Sequence, residues 1–179
     1  MKLKYPVICV INGPPASGKS TVAAALKNYG IANTIHISVD DIRNLFSKSA
    51  HFNNAEGEKL LFKSTILAVR QAKLYIRQSD NPLVIIDDCI VDLSRLNLYL
   101  QLLGQYMTLT VCLWPNQEVQ MKRNRQRESV LISAEHALAL RKQMEKSQIV
   151  EHHDLVVDNS IRTLKQTLKP LLSLLKDNL

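Results

Sequence analysis

Short apolar runs rich in β-branched residues alternate along the chain with longer stretches of helical pattern. In chain order these runs are Val7 to Ile11, Thr34 to Val39, Leu83 to Ile86, Met107 to Leu113 and Leu155 to Val157. Strands that alternate with helices form βαβ units, whose right-handed crossovers place helices on both faces of a parallel sheet. The pattern therefore predicts an α/β fold in which the sheet is buried on both faces.

One long stretch, Ala55 to Gln78, has the pattern of a helix. It carries leucines at seven-residue spacing, Leu60, Leu67 and Leu74. Residues at that spacing lie on one side of a helix, so we interpret the leucine stripe as the side that faces the core.

Three segments mark the boundaries of elements. Asn81-Pro82 is a break before the third strand, and Trp114-Pro115-Asn116 ends the fourth strand and can begin the next helix. Ser160 is a suitable N-cap, which predicts that the last helix begins near this residue and runs towards the C-terminus.

Length and composition suit a single folded domain, residues 1–179, with a sizeable core. Apolar residues make up 46% and charged residues 22% of the chain, which is ordinary for a globular protein. No apolar run approaches the roughly 18 residues that span a bilayer. The apolar run after the charged N-terminus ends at Asn12-Gly13, which is typical of a strand rather than a signal peptide. We therefore expect a cytoplasmic protein without a membrane segment.

The cysteines and the paired histidines do not indicate a metal site. Cys9, Cys89 and Cys112 are far apart and odd in number, so we expect buried free thiols rather than disulfides or zinc ligands. His152-His153 lacks an evident third ligand, so we expect these to be surface residues.

The net charge of +7 has two interpretations. A basic protein suits partners rich in phosphate, such as nucleotides or nucleic acid. A charge of this size can also serve solubility alone.

The most specific segment follows the first strand and matches G-x-x-x-x-G-K-[ST], the phosphate-binding loop, at every defined position. Its residues are Gly13, Pro14, Pro15, Ala16, Ser17, Gly18, Lys19, Ser20 and Thr21. Glycine permits backbone angles that let consecutive N–H groups cradle anionic oxygens, and the helix that starts near Gly18 adds its positive end. Lys19 supplies a charge for the β- and γ-phosphates, and the Ser20 hydroxyl is a hard ligand for Mg²⁺. We therefore expect ATP and Mg²⁺ as ligands.

The motifs of several other P-loop classes are missing. The sequence contains neither the N-K-x-D nor the D-x-x-G string of regulatory GTPases. Motor-type and ring-forming ATPases usually place a catalytic Glu after the Asp that ends the third strand, whereas this strand ends Asp87-Asp88-Cys89. Small kinases, which transfer the γ-phosphoryl group to a hydroxyl, remain.

Two adjacent carboxylates, Asp40 and Asp41, lie just past the second strand. A kinase needs a carboxylate near the phosphate loop to accept or orient the proton of the acceptor hydroxyl. Ligands of parallel sheets bind outside the carboxyl ends of the strands, which suits this position. Either residue could instead cap the following helix. We predict that Asp40 serves the reaction and that Asp41 caps the helix.

A second pair, Asp87-Asp88, ends the third strand. Carboxylates there could hold Mg²⁺ through water or hydrogen-bond the acceptor. Because side chains alternate along a strand, we expect only one of the two to face the site, and the pattern leaves open which.

A run of four cations falls within Lys122-Arg123-Asn124-Arg125-Gln126-Arg127. Such a run is usually a solvated helix face. Arginine forks, however, match phosphate oxygens and stabilise the charge of a transferring phosphoryl group. In a P-loop protein we therefore predict that this run belongs to a helical lid, about residues 122–133, over the triphosphate.

In order and spacing these segments resemble the small predicted kinases that include chloramphenicol phosphotransferases, zeta toxins and the kinase half of phage polynucleotide kinase. The pattern is most similar to polynucleotide kinase, whose phosphate loop, D-D-x-R segment, V-I-I-x-D strand and K-R-N-x-x-R lid have counterparts here. The counterparts are Gly13 to Thr21, Asp40 to Arg43, Val84 to Asp88 and Lys122 to Arg127. The resemblance runs from about Val7 to Met144. It implies a P-loop NTPase fold, a three-layer α/β/α sandwich with a five-stranded parallel sheet.

The resemblance also implies roles at the phosphates and the acceptor. Lys19 and Ser20 would hold the phosphates and Mg²⁺, and Asp40 would be the general base. Arg43 and Asp88 would face the acceptor.

The resemblance further implies that Arg123 and Arg127 act from the lid. Adenine would lie near the turn Asp158-Asn159-Ser160.

Two features depart from the phage enzyme. No phosphatase half follows before Leu179, and Cys89-Ile90-Val91 stands where the phage enzyme has polar residues. An apolar rim suits a small-molecule acceptor as well as a nucleic acid. Three functions remain open: a kinase of nucleic-acid 5′-hydroxyls, a kinase of a small molecule such as an antibiotic or metabolite, and a nucleotide-dependent switch protein without transfer chemistry. The last would leave Asp40, Arg43 and the basic run without a role.

Overall fold

The computed structural model of the chain describes residues 2–46, 55–127 and 132–176. Its strands, β1 to β5 in chain order, are Val7–Asn12, Thr34–Ser38, Leu83–Asp87, Met107–Leu113 and Leu155–Val157. Its helices, α1 to α7, are Lys19–Lys27, Val39–Phe46, Ala55–Gln78, Leu93–Leu103, Gln117–Arg125, Ala134–Lys146 and Leu164–Lys176. A short 3₁₀ helix, Ile149–His152, precedes β5.

The strands form one five-stranded sheet in the order β2-β3-β1-β4-β5, and every neighbouring pair is parallel. The predicted α/β fold with a five-stranded parallel sheet is therefore confirmed, and each apolar run forms a strand. The bounds differ by a residue at three places: β1 includes Asn12, β3 includes Asp87, and Val39 belongs to α2 rather than β2.

Alternation along the central strand divides the core into two layers. Val7, Cys9 and Ile11 of β1 pack with residues of α1 and α7 on one face of the sheet. Ile8 and Val10 pack with residues of α3, α4 and α6 on the other face. The carboxyl ends of the parallel strands meet at one edge of this sandwich, where a ligand site is expected.

Helix α3 has the predicted span, but its leucine stripe is not its core side. Leu74 is 55% exposed, and Leu60 and Leu67 are only half-buried. The buried side carries smaller or β-branched side chains, which are Ser64, Thr65, Ala68, Val69, Ala72 and Ile76. At 3.6 residues per turn the two stripes point in different directions. Small side chains let the helix approach the sheet closely, and this contact outweighs the regular leucine spacing.

The last helix begins at Leu164, so the prediction of a start near Ser160 is wrong. Thr163 and Gln166 form a capping box instead. The Thr163 N–H donates to Gln166 Oε1 at 2.8 Å, and the Gln166 N–H donates to Thr163 Oγ1 at 3.3 Å. Ser160 has another partner, because its hydroxyl accepts the Asn116 N–H at 2.7 Å.

Two other predicted boundaries are confirmed. Asn116 caps α5, where its side chain accepts the Val119 N–H at 2.8 Å. Asn81 has a positive φ of 43°, which turns the chain before β3.

The three cysteines are free, as predicted. Cys9 and Cys112 are buried, and burial raises the pKa of each thiol to about 12. Cys89 is half-buried at the edge where the strands end. The described residues contain no cluster of three or more histidine, cysteine or acidic side chains that could hold a metal. They also contain no helix with the length and apolar character needed to cross a membrane.

The orientation of α3 predicts a contrast between two neighbouring side chains. Ile76→Ala should lower the free energy of unfolding by about 2–5 kcal/mol, because it leaves a cavity between α3 and the sheet. Leu74→Ala should change it by no more than about 0.5 kcal/mol, because Leu74 is exposed. Urea unfolding of both variants measures the difference. Equal losses would contradict the orientation of α3 and restore the leucine stripe as the core side.

Candidate active site

The phosphate loop connects the end of β1 to the first turn of α1. Gly13 has a φ of 147°, and a Cβ added there would collide with the backbone carbonyl of Leu113 in β4. Gly18 has a φ of 96° and precedes the first residue of α1. Within the described part of the chain no side chain caps α1, so the N–H groups of its first turn are available to an anion.

The Lys19 ammonium lies against the loop itself. Its Nζ donates to the carbonyl oxygens of Gly13, at 2.9 Å, and Pro14, at 3.2 Å. The Ser17 N–H also donates to Pro14 O, at 3.1 Å, and closes the turn. The side chain is therefore buried, while the hydroxyl of the next residue, Ser20, is exposed beside it.

Asn12, which was not predicted from the sequence, connects the loop to its surroundings. The side chain is fully buried. Its Oδ1 accepts the N–H groups of Gly13 at 2.7 Å and Ile90 at 2.8 Å, and its Nδ2 donates to Ile90 O at 3.1 Å. The amide thereby joins the start of the phosphate loop to the segment that follows β3. The sequence feature that could have indicated Asn12 is its position as a polar residue at the end of an apolar strand, directly before Gly13.

The same amide fixes the protonation of His153. Because Asn12 Oδ1 accepts two backbone N–H groups, Nδ2 must donate to His153 Nε2, which lies 3.2 Å away. The other ring nitrogen, Nδ1, then carries the hydrogen and donates to Ile149 O at 2.9 Å. His153 is half-buried, so the expectation of a surface residue is wrong for it, whereas His152 is exposed as expected. Burial lowers the pKa of His153, which favours this neutral ring.

Asp87 and Asp88 point to opposite faces of the sheet, as alternation predicts. Asp87 continues the side of Leu83 and Ile85, which faces the layer of α1 and the phosphate loop. Its Oδ2 lies 2.7 Å from Nε2 of His36, a β2 residue that the sequence analysis also missed. The alternation of polar and apolar residues in β2 could have indicated that His36 lies on the polar side of this strand.

Asp88 belongs to the other face and is not open to a ligand in this conformation. It is 1% exposed, forms an ion pair with Arg95 and accepts the Tyr99 hydroxyl at 2.8 Å. Burial opposes the charge of Arg95, but the Asp88 carboxylate outweighs it and raises the pKa of the guanidinium. An acceptor could reach Asp88 only if Arg95 or Tyr99 moved.

Asp40 lies in the first turn of α2 at the edge of the site. Its carboxylate is 48% exposed and pairs with Arg43 at 2.9 Å. Burial raises the pKa of the Cys89 thiol, and the charges of Lys19 and Asp40 act on the same thiol, so both groups lie near this residue. The prediction that Asp41 caps α2 is wrong, because the Asp41 N–H donates to Ser38 Oγ at 3.2 Å and Ser38 is the capping side chain.

A cavity of about 320 Å³ adjoins the phosphate loop. Its lining residues are Ala16, Gly18, Thr21, Val22, Arg123, Arg127, Asn159, Arg162, Leu164 and Thr167. The cavity thus brings together residues of the phosphate loop, the basic run and the turn at Asn159, and none of these lining residues carries a carboxylate. Arg162, Leu164 and Thr167 were not predicted from the sequence; the fold brings them here from the segment before α7 and from its first turn.

Asn159 and Arg123 connect the two sides of the cavity. Asn159 Nδ2 donates to Ser17 O of the phosphate loop at 2.8 Å. Arg123 donates from one terminal nitrogen to Asn159 O, also at 2.8 Å. The predicted lid is thus tied to the loop at its α5 end. Residues 128–131 of that lid lie outside the described part of the chain.

Three buried polar atoms around the loop and cavity have no partner within the described residues. They are Ser17 Oγ, the second terminal nitrogen of Arg123 and Asn159 Oδ1. Buried polar atoms are nearly always hydrogen-bonded, so this cluster suits a polar ligand. With Lys19 and the α1 N-terminus, the donors suit the phosphates of a nucleotide.

The sequence of residues 8–149 matches the AAA domain family. The chain belongs to this family. The matched range contains the phosphate loop, Asp40, Asp87 and the basic run Lys122 to Arg127. The sequence of the chain has no match among curated proteins.

Several solved structures share the fold of the AAA domain. A gluconokinase from Sinorhizobium meliloti 1021 has a TM-score of 0.71 at 16% identity, over 97% of this chain and 95% of that one. A sugar kinase from Janibacter sp. HTCC2649 has a TM-score of 0.72 at 16% identity over the same shares. A shikimate kinase from Bacteroides thetaiotaomicron has a TM-score of 0.66 at 14% identity, over 95% of this chain and 98% of that one.

The neutral His153 predicts a pH-dependent contribution to stability. Its folded-state pKa lies below the ordinary value of about 6.5, so the contribution is complete above pH 6.5. It is lost as the pH falls from there through the lower folded-state value, since the unfolded chain binds the proton first. Urea unfolding at several pH values between about 7.5 and 5 should show a smaller decline for His153→Gln than for the native chain. His152→Gln, which changes the exposed neighbour, should decline like the native chain. Parallel curves for all three proteins would contradict the neutral, buried ring.

Proposed function

We propose that this AAA domain is an ATP-dependent kinase that transfers the γ-phosphoryl group of ATP to a hydroxyl acceptor. The observation that carries the proposal is the convergence of Lys19 and Arg123 on one phosphate loop, where a buried guanidinium nitrogen of Arg123 has no partner among the described residues. A cation held beside the loop serves the charge of a transferring phosphoryl group. The names of the three structural neighbours, all kinases, support the same activity. We expect it to act in the cytoplasm.

The nucleotide would span the loop and the adjoining cavity. The triphosphate would lie along the N–H groups of the loop and the start of α1. Adenosine would occupy the cavity between Asn159 and Arg162, with Leu164 against the base. This position agrees with the turn that the resemblance to polynucleotide kinase implies for adenine.

The residues present also fit Mg²⁺. Ser20 offers an exposed hydroxyl on the first turn of α1, and Asp87 offers a carboxylate on the same face of the sheet. Hard oxygen donors of this kind are the ligands that Mg²⁺ prefers, with Asp87 acting through water. When bound, the ion would neutralise part of the phosphate charge. Asp88 faces the other layer and is the poorer candidate.

The reaction needs one base and a set of cations. The Asp40 carboxylate would take the proton of the acceptor hydroxyl while the acceptor oxygen bonds to the γ-phosphorus. The bond from that phosphorus to the β–γ bridging oxygen breaks, and ADP leaves with its electrons. Lys19, Arg123 and Arg127 would stabilise the charge that spreads over the transferring oxygens.

The acceptor would bind on the α2 side of the loop, next to Arg43 and Asp40. A nucleic-acid 5′-hydroxyl is the acceptor that the resemblance to polynucleotide kinase implies. Small molecules are favoured by the names of the structural neighbours and by the apolar segment Cys89-Ile90-Val91. Asp88 would join the acceptor site only after Arg95 or Tyr99 moved.

The role of Arg123 can be tested against a neighbour in the same basic run. Arg123→Ala should lower kcat about 100- to 1000-fold, with a smaller effect on nucleotide affinity, because the guanidinium is expected to act mainly in the transition state. Arg125→Ala is the matched control, since Arg125 is exposed on α5 and does not line the cavity. Steady-state kinetics and ADP titration give both quantities. Equal effects of the two substitutions would refute the assignment.

The proposed activity itself can be tested with Mg²⁺ and γ-labelled ATP. A 5′-hydroxyl oligonucleotide and a pool of sugars, metabolites and antibiotics would be offered separately. We expect label on one of them, and a loss of about 100- to 10,000-fold in Asp40→Asn, which lacks the base. Asp41→Asn is the control, because Asp41 is exposed on the same turn. Transfer to the oligonucleotide that weakens steeply with salt would identify a polynucleotide kinase. Release of inorganic phosphate alone, or label in neither fraction, would refute the kinase.

A further inference from the structure

Arg141 of α6 is a buried cation that the proposed reaction does not use. It is 6% exposed. A buried guanidinium is costly unless its donors are satisfied. The contacts that satisfy Arg141 therefore indicate what it holds in place.

These contacts come from the segment after β4, from α5 and from α6 itself. One terminal nitrogen of Arg141 donates to Pro115 O at 2.8 Å and to Gln120 Oε1 at 3.0 Å. Its Nε donates to Glu145 Oε1 at 3.0 Å, one turn further along α6. The guanidinium carbon lies 4.1 Å from the centre of the Trp114 ring, a cation–π contact.

The link to α5 bears on the cavity. Gln120 is fully buried in α5 and lies three residues before Arg123, so the two side chains are on adjacent turns. Arg123 reaches Asn159 O, beside the phosphate loop. A shift of α5 relative to the end of β4 would therefore also move the Arg123 guanidinium.

We propose that Arg141 is a positioning residue for the phosphate site: it fixes α5 through Gln120 and Pro115 and so places Arg123 beside the phosphate loop. Arg141 touches no ligand itself. The proposal rests on the proposed function in one respect, the action of Arg123 on the phosphates. It also implies that nucleotide binding is transmitted from Arg123 through α5 to the Arg141–Trp114 contact.

Trp114 makes this transmission measurable, because it is the only tryptophan in the sequence. Its fluorescence should change when ATP or ADP binds with Mg²⁺. A titration of this signal needs neither an acceptor nor turnover, so it remains informative even if no phosphate transfer is found.

Four variants separate positioning from simple stabilisation. Arg141→Lys keeps the charge but loses the planar guanidinium, which contacts Pro115 and Gln120 from a terminal nitrogen and Glu145 from Nε at the same time. Gln120→Leu removes the acceptor on α5 at similar volume, whereas Gln120→Glu keeps an acceptor there. Glu145→Gln alters the half-exposed partner that does not connect to α5. Thermal unfolding of each variant shows that it is folded and reports any loss of stability.

We expect kcat to fall about 10- to 100-fold in Arg141→Lys and Gln120→Leu, because a displaced catalytic group costs that much. The Kd for ADP should change less than about threefold, and the nucleotide-dependent Trp114 signal should be lost. Gln120→Glu and Glu145→Gln should retain both the native kcat and the native signal.

Three results would overturn the inference. The first is an unchanged kcat in Arg141→Lys and Gln120→Leu with only a lower Tm, which would make Arg141 a purely structural residue. The second is a Trp114 signal that does not respond to nucleotide in the native protein. The third is an equal signal in Gln120→Leu and Glu145→Gln. Failure of the proposed function looks different: the native protein would transfer no phosphate, yet the fluorescence comparison would still test the link from Arg141 to α5.

Discussion

The hydrogen bonds of the Asn12 amide hold the first residue of the phosphate loop in place, and the rest of the site depends on that position. Gly13 has no room for a side chain, because the loop begins in close contact with the backbone of β4. Asn12 bonds Gly13 N and both backbone groups of Ile90, and thereby sets the loop and the end of β3 relative to each other. A fully buried amide with all these partners is rigid, because any displacement would leave a buried polar group unpaired.

The two faces of the sheet then divide the chemistry. Asp87 is on the face of α1, where Ser20 lies, while Asp88 is on the face of α4 and is neutralised by Arg95. Adjacent carboxylates thus serve separate layers, one near the phosphate loop and one inside the protein. Asp40 reaches the same edge from α2, and the charges of both Asp40 and Lys19 act on the Cys89 thiol. The site is assembled from residues far apart in the chain because parallel strands all end at one edge.

Local patterns predicted the fold well and the contacts poorly. All the strands and the span of α3 follow from periodicity and breaks, and the phosphate loop follows from its motif. The leucine stripe of α3 was misassigned because spacing shows which residues share a side but not which side meets the sheet. Asn12 and His36 were missed because their partners lie in other elements, and Arg162 because only the folded chain brings it to the cavity. Ser38, not Asp41, caps α2, because the capping side chain precedes the first turn and does not belong to it.

The cations beside the phosphate loop and the Asp40 carboxylate have different kinds of partner, and this difference matters for function. Lys19 and Arg123 are held by backbone carbonyl oxygens, those of Gly13, Pro14 and Asn159. A carbonyl orients a cation but does not neutralise it, so a phosphate can approach without first breaking an ion pair. On the other side of the loop, Asp40 is paired with Arg43. This pair orients the carboxylate that would serve as base, while the cations that would meet phosphate keep their charge for the ligand.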